Sequence, residues 1–325
     1  MQTVYVDRRD AELAQERGAL VIRLPDSRPK SLPLSGIERL ILRSGARIST
    51  SLLAELWRRD VGVLILAGRH PEPTARFLGR PRQDLELRLR QYELVRDPGR
   101  RLAFAREIVA AKLAGQGRLL ARFAAEGRGN GLRLRAAAAR LEELAGAARD
   151  APDLASLLGF EGTGAALHFE AYATLFPASL GFSGRNRRPP RDPVNACLSL
   201  GYTLLHFEAA RRVQLHGFDP MLGALHAPAA GRDSLACDLV EPLRGHIDGW
   251  VAALFLARTL SRRDFRRAGE ACYLEKGGRR RFYEAWETRA PALSRLLARM
   301  ARQLSRQIRE RVPPTVPIEP GEDAS

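Results

Sequence analysis

The chain has 325 residues, 45% of them hydrophobic and 28% charged, with 53 Lys and Arg set against 37 Asp and Glu for a net charge of +16. Wholesale disorder is excluded, and so large a positive surplus points to a polyanionic partner, nucleic acid ahead of an acidic membrane face. All the basic residues except Lys30, Lys112 and Lys276 are arginines, whose planar fork suits phosphate, although a GC-rich genome would favour the same residue.

The first 80 residues read as strands. Residues 3–6, 19–24 and 37–42 are short β-branched or aliphatic runs separated by turn chemistry at Asp26, Ser27 and Pro29. Ser49 and Thr50 can cap a short helix over 51–59, with Leu52, Leu53 and Leu56 on its apolar side. The continuous apolar run 61–67 predicts a strand buried on both faces, and 74–78 one more. From Pro81 the period becomes helical. Leu85 to Val95 form a linker helix, and Asp97-Pro98 is an N-cap with a first-turn proline opening a helix toward Gly115. The alanine-rich stretch 132–147 continues the pattern, and no comparable strand signal follows residue 85. The expected class is α+β: a small β-rich N-terminal domain over 1–80 and a larger all-α domain over 81–311. The proline-bearing tail 312–325 is expected to be disordered. Of the net charge, +5 falls in the first 80 residues and +11 beyond them.

Cys197, Cys237 and Cys272 stand far apart with no CxxC pair, which excludes a disulfide framework and a thiolate zinc site. The opening MQTVYVDRRD turns charged too early for a signal peptide, and the longest apolar runs fall far short of the roughly 20 residues of a membrane helix. A cytoplasmic protein without membrane association is expected.

A basic protein acting on phosphodiesters commonly needs a hard cation, and Mg²⁺ and Mn²⁺ prefer carboxylate oxygen, Mn²⁺ also accepting imidazole. Glu161, in the run Gly159-Phe160-Glu161-Gly162, stands at the expected start of a helix over 161–176, with Gly162 and Gly164 leaving room beside it. His226 follows a loop marked by Gly217 and Pro220, and Asp238 and Glu241, three residues apart, share one face of a helix that Asp233 and Ser234 can cap. Each has a plainer reading: Glu161 as a first-turn acid, His226 as a satisfied core or loop histidine, and the acid pair as an ionic face with Arg244 one turn on. The remaining five histidines show no metal-ligand spacing. Basic clusters stand at Arg185, Arg187, Arg188 and Arg191 in a proline-stiffened loop, and at Arg262, Arg263, Arg266 and Arg267, whose spacing predicts a stripe on one helical face. A third, Arg279–Arg281, precedes Phe282 and Tyr283. One-signed, repeated runs favour phosphate contact over a solvated face. No phosphate loop, nucleophile elbow or zinc helix is present.

Taken together, GFEG at 159–162 opening a segment that ends HFEAYATLF, GRNRRPPRDPVNACLSLGYTLL at 184–205, LH at 225–226 and GRDSLACDLVEPLR at 231–244 resemble one family: the CRISPR-associated Cas-one integrases of spacer acquisition. The resemblance spans nearly the whole chain, the first 80 residues matching only as a β-rich outline. It implies a metal site for Mg²⁺ or Mn²⁺ built from Glu161, His226 and Glu241, with Asp238 as a neighbouring acid of the catalytic group. The implied activity is a metal-dependent DNA endonuclease and integrase acting on double-stranded DNA, the captured fragment and the repeat array. The implied assembly is a homodimer, two of which flank a Cas-two dimer. The arginines at 185–191 and 262–267 become backbone contacts, while Asn195 and Tyr202 shape the fold. The competing reading is a non-enzymatic basic scaffold whose carboxylates serve only in ion pairs.

Overall fold

The computed structural model describes residues 2–66, 73–186 and 189–313. The chain begins with six strands, β1 (Gln2–Val6), β2 (Glu12–Glu16), β3 (Ala19–Leu24), β4 (Ser27–Pro33), β5 (Ile37–Arg43) and β6 (Arg47–Ile48). Helix α1 (Thr50–Arg58) leads to β7 (Gly62–Leu66), and β8 (Pro73–Phe77) follows. Ser49 caps α1 as its sequence implies, its side chain accepting from the Leu52 N–H.

Two four-stranded sheets result. One has the order β1-β5-β7-β8, with β1, β5 and β7 parallel and β8 antiparallel; the other has the order β4-β3-β2-β6. Strand alternation sends the two faces of the first sheet to different cores. Val4, Leu40, Leu42 and Val63 pack with Leu13, Leu20, Leu52 and Leu56 inside the N-terminal part, while Ile41, Leu64 and Leu66 face the helices and join their core. The unbroken apolar run expected at this position is thus a strand covered on both sides.

The helical part contains α2 (Leu85–Arg96), α3 (Pro98–Ala125), α4 (Gly131–Arg149), α5 (Leu154–Ala173), α6 (Pro193–Leu215), α7 (Ser234–Val240) and α8 (Arg244–Leu256). A ribbon of β9 (Phe265–Ala268) and β10 (Ala271–Leu274) precedes the 36-residue α9 (Lys276–Arg311). Helix α3 opens as expected, the Asp97 carboxylate accepting from Arg100 N–H, but it runs through Gly115 and Gly117 rather than stopping there. Those glycines permit close approach: a Cβ on Gly117 would stand 3.1 Å from the Ala138 carbonyl of α4. Gly245 similarly lies against the Gly115 carbonyl, at 3.3 Å.

Two expectations for this part are corrected. Glu161 does not open its helix: Asp153 is the N-cap of α5, accepting from Ser156 N–H at 2.7 Å, so Glu161 lies in mid-helix and owes nothing to the helix start. Arg262, Arg263, Arg266 and Arg267 do not share a helical face either. A capping box between Ser261 and Asp264 closes a single 3₁₀ turn over Arg262–Asp264, and the chain then extends into β9, which pairs with β10 across Gly269 at φ 60°. The helical part therefore includes one small ribbon, fastened to the loop before α6 by Cys272 N–H donating to Pro190 O at 2.7 Å.

The β-rich and helical parts are also joined by buried charge. Arg39 on β5 donates to Glu208 on α6 at 2.9 Å, and Glu208 also accepts from Arg212 at 2.9 Å and from Ser294 on α9 at 2.7 Å. Tyr5 stacks on Tyr283 with ring centroids 4.3 Å apart and donates its hydroxyl to Glu287 at 2.6 Å. At the other end of α9, Val312 is fully buried and its carbonyl accepts from Arg90 at 2.6 Å, so order extends into the first residue of the expected tail. Residues 314–325 of that tail lie outside the described residues.

Candidate active site and nucleic-acid interface

Helices α3 and α5, the loop before α7 and the turn after it bring the acids of the sequence blocks together. Helix α5 can lie close on α3 because Gly164 has no side chain; a Cβ there would meet Leu113. This contact sets Glu161 beside Lys112 of α3. The buried Lys112 ammonium pairs with Glu161 and also with Glu241 Oε2, the latter at 2.7 Å. Glu241, only 4% exposed, begins the 3₁₀ turn Glu241–Leu243 between α7 and α8. Both of its oxygens also accept from Arg244, at 2.8 Å each. Burial pushes its carboxyl up, but Arg244 and Lys112 outweigh this and hold it well below the usual carboxylate range.

Asp238 is almost wholly buried and accepts four hydrogen bonds. Oδ2 takes the Ala224 N–H at 2.6 Å and the Leu225 N–H at 3.0 Å; Oδ1 takes the His226 N–H at 3.0 Å and its imidazole Nδ1–H at 2.7 Å. The loop can wrap this carboxylate because Gly223 lacks a Cβ, which would lie 2.7 Å from the Ser234 backbone and 2.8 Å from Asp238 Oδ2. With Nδ1 engaged as donor, Nε2 of His226 is left as the acceptor or ligand atom, the tautomer following from the carboxylate beside it. Asp238 and Glu241 consequently have different tasks: one orients His226, the other meets Lys112 and Arg244. Asp233 is the N-cap residue of α7, yet its side chain makes no cap bond and pairs instead with Arg76.

Among the described residues, no three or more His, Cys, Asp or Glu side chains are grouped so as to hold a metal ion. The chemistry of the donors nevertheless suits Mg²⁺ or Mn²⁺: Glu161 and Glu241 converge on one cation, the Lys112 ammonium, and His226 is oriented with Nε2 available. Sequence reasoning paired Arg244 with Glu241 but missed Lys112. The available signal was its rarity, one of three lysines among fifty-three basic residues, set within an apolar stretch of a helix.

Behind Glu241, Arg244 stacks over the Tyr202 ring at 4.6 Å, and Tyr202 donates its hydroxyl to the buried Asp248. Asp248 also bonds His168 Nε2 at 2.9 Å, and its backbone carbonyl accepts from Tyr172 at 2.7 Å. Arg185 lies over the same Tyr202 ring at 5.5 Å and donates to Asn195 at 2.8 Å and to Ser199 at 3.0 Å, so it faces inward. Arg187 and Arg188 lie outside the described residues. Arg191 is exposed and pairs with Glu270 at 3.0 Å. Arg262, Arg263, Arg266 and Arg267 are exposed on the turn and ribbon. Arg266 also lines a cavity of about 690 Å³ together with Arg9, Arg43, Lys276 and Arg279, at the ends of β1, β5 and β7; Glu161, Asp238 and Glu241 are not in its lining. No helix among the described residues is long and apolar enough to cross a membrane.

A family model described as "CRISPR associated protein Cas1", the Cas-one family of the sequence resemblance, matches residues 4–288. A protein of Thermodesulfovibrio yellowstonii called "CRISPR-associated endonuclease Cas1 1" is 36% identical over 290 residues, 88% of this chain and 91% of that protein. Two solved structures share the fold. One is a "Casposase bound to integration product", with TM-score 0.82 and 21% identity over 98% of this chain and 95% of that one. The other is a "Cas6-RT-Cas1--Cas2 complex", with TM-score 0.83 and 21% identity over 97% of this chain and 36% of that one.

Proposed function

We propose, from the premise that this chain belongs to the CRISPR associated protein Cas1 family, that it is a metal-dependent DNA endonuclease and integrase of CRISPR adaptation. It inserts captured DNA into the repeat array by attack of a 3′-hydroxyl on a phosphodiester. The observation that carries this reading is the convergence of Glu161 and Glu241 on one cation position; His226 is held separately by Asp238, three residues before Glu241. The relative called an endonuclease and the casposase bound to an integration product support the same chemistry.

Glu161, Glu241 and Nε2 of His226 would hold Mg²⁺ or Mn²⁺, which when bound neutralises phosphate charge and acidifies the attacking hydroxyl. Asp238 keeps His226 in the tautomer that leaves Nε2 free, and Arg244, braced by Tyr202, fixes the Glu241 carboxylate. The 3′-oxygen forms a new bond to phosphorus as the old phosphorus–oxygen bond breaks, so one diester replaces another and no nucleotide energy is consumed. Water in place of the hydroxyl gives hydrolysis at the same site. Arg191, Arg262, Arg263, Arg266 and Arg267 contact the DNA backbone and position it without reading its sequence. The active assembly is a homodimer working with a Cas2 dimer, a partnership in line with the complex of that fold.

Strand transfer with a labelled duplex tests the reading. Wild type should join the duplex to a repeat target in Mg²⁺ or Mn²⁺, with Glu161→Ala and His226→Ala inactive. Equal activity in all three would sink the site assignment, whereas a wild type that binds DNA but transfers no strand would leave a basic scaffold whose carboxylates serve only to pair with Lys112 and Arg244.

A further inference from the structure

Lys112 is 5% exposed, and its ammonium lies between the two carboxylates assigned to the metal. A buried ammonium is costly unless paired and hydrogen-bonded, and Lys112 meets that condition twice, through Glu161 and Glu241. The local charges are balanced: Glu161 and Glu241 are matched by Lys112 and Arg244. A divalent ion entering this set would leave an excess of two positive charges in a buried place.

Both oxygens of Glu241 are also engaged by cations. Oε2 accepts from Lys112 at 2.7 Å and from Arg244 at 2.8 Å, and Oε1 accepts from Arg244 at 2.8 Å. An ion held by both Glu161 and Glu241 would compete with the Lys112 ammonium, which now pairs with both, and Glu241 also carries Arg244. Arg244 is gripped by two parallel bonds and by the Tyr202 ring at 4.6 Å, a planar fork with little freedom to leave. Lys112 is a point charge on a flexible four-carbon stem and can withdraw.

We propose that Lys112 is the resident cation of the site: it holds Glu161 and Glu241 together before a divalent ion arrives and is displaced from both when the ion binds. Lys112 thereby sets the ion concentration at which the site fills. This rests on the assignment of Glu161 and Glu241 as metal ligands. Removing the ammonium while keeping the stem, as in Lys112→Met, removes both the repulsion and the competition, and tightens metal binding at least about tenfold.

The test is calorimetric titration of the full-length protein with Mn²⁺, without DNA, using wild type, Lys112→Met and Glu161→Gln. The expected result is binding at least about tenfold tighter in Lys112→Met and much weaker in Glu161→Gln. Equal or weaker binding in Lys112→Met, with Glu161→Gln still impaired, overturns the role of Lys112 and leaves the ligand assignment standing. Mn²⁺ binding unaffected by Glu161→Gln, or absent from wild type, overturns the ligand assignment and this proposal with it. Because losing the ammonium leaves one carboxylate charge unbalanced, Lys112→Met is also melted in EDTA and in Mn²⁺. The Mn²⁺-induced rise in its melting temperature should exceed that of wild type, and an equal or smaller rise counts against the proposal.

Discussion

Asp238→Asn is nearly isosteric, yet the geometry gives it a large effect. The carboxylate accepts four hydrogen bonds, two on each oxygen, from Ala224, Leu225 and His226. An asparagine can satisfy two of those donors with its carbonyl and turns its amide hydrogens toward the other two. Hydrogen bonds to a charged group contribute about 1.5–3 kcal/mol each, so losing a pair in a site 1% exposed costs about 3–6 kcal/mol. For a unit of this size that lowers the melting temperature by on the order of 10 °C. If the amide faces the imidazole, His226 does best by moving its proton to Nε2, the atom assigned to the metal. Strand transfer should then fall by about 10- to 100-fold even well below the melting temperature. The assays are thermal unfolding at pH 7 and initial rates of strand transfer at low temperature. A variant melting within about 2 °C of wild type with an unchanged rate would refute the claim that this carboxylate holds the loop and fixes the tautomer.

Other contacts carry further expected outcomes. Gly223→Ala places a Cβ 2.7 Å from the Ser234 backbone, which cannot retreat as a side chain can, so it should cost about 1–3 kcal/mol in urea unfolding and reduce activity with it. Glu208 is held below the usual carboxylate range: burial pushes it up, but Arg39, Arg211 and Arg212 outweigh that. Its contribution is therefore complete above an unfolded pKa near 4.5 and is lost as pH falls through the lower folded value, so the stability gap between wild type and Glu208→Gln should be widest at neutral pH and narrow below about pH 4.5. Equal gaps at pH 7 and pH 3.5 would contradict this. Arg263→Ala should weaken duplex binding uniformly across sequences and reduce the slope of log affinity against log salt by about one, whereas Arg185→Ala should lower the melting temperature through its lost bonds to Asn195 and Ser199.

The strands with an apolar signature were legible in the sequence: β1, β3, β5 and β7 stand where their aliphatic runs lie. Strands β2, with the sequence ELAQE, and β4, with SRPKSLP, carry no such pattern. Most of β4 is exposed, and its conformation comes from pairing with β3. The glycines of α3 read as a helix end when they mark the crossings where α4 and the Gly245 backbone come close. The arginine spacing of 262–267 fits a helix and a ribbon equally well; Gly269 and the pairing with β10 decide it. At the site, Glu161, His226, Asp238 and Glu241 stood out as short blocks, but the division of labour between the two acids depends on which backbone wraps which carboxylate. Lys112 lies 49 residues before Glu161 and reaches it only through the packing of α3 on α5, which no local pattern encodes.

The fastening of α9 to the first strand gives the chain a waiting time. Tyr5 bonds Glu287, 282 residues later, and Asp7 receives Arg279. At roughly 5–20 residues per second on a ribosome, β1 emerges roughly 15–55 s before its last partners exist. During that interval the hydroxyl of Tyr5 and the carboxylate of Asp7 have no α9 to meet, and the helix-facing side of the sheet, with Ile41, Leu64 and Leu66, is bare until the helices are made. The N-terminal sheet can pair its strands early on its own inner core, but the last step of folding belongs to the final helix. A ribosome stalled before the helices are made would thus present a sheet with one oily face open, a natural client for chaperones that bind exposed apolar strands.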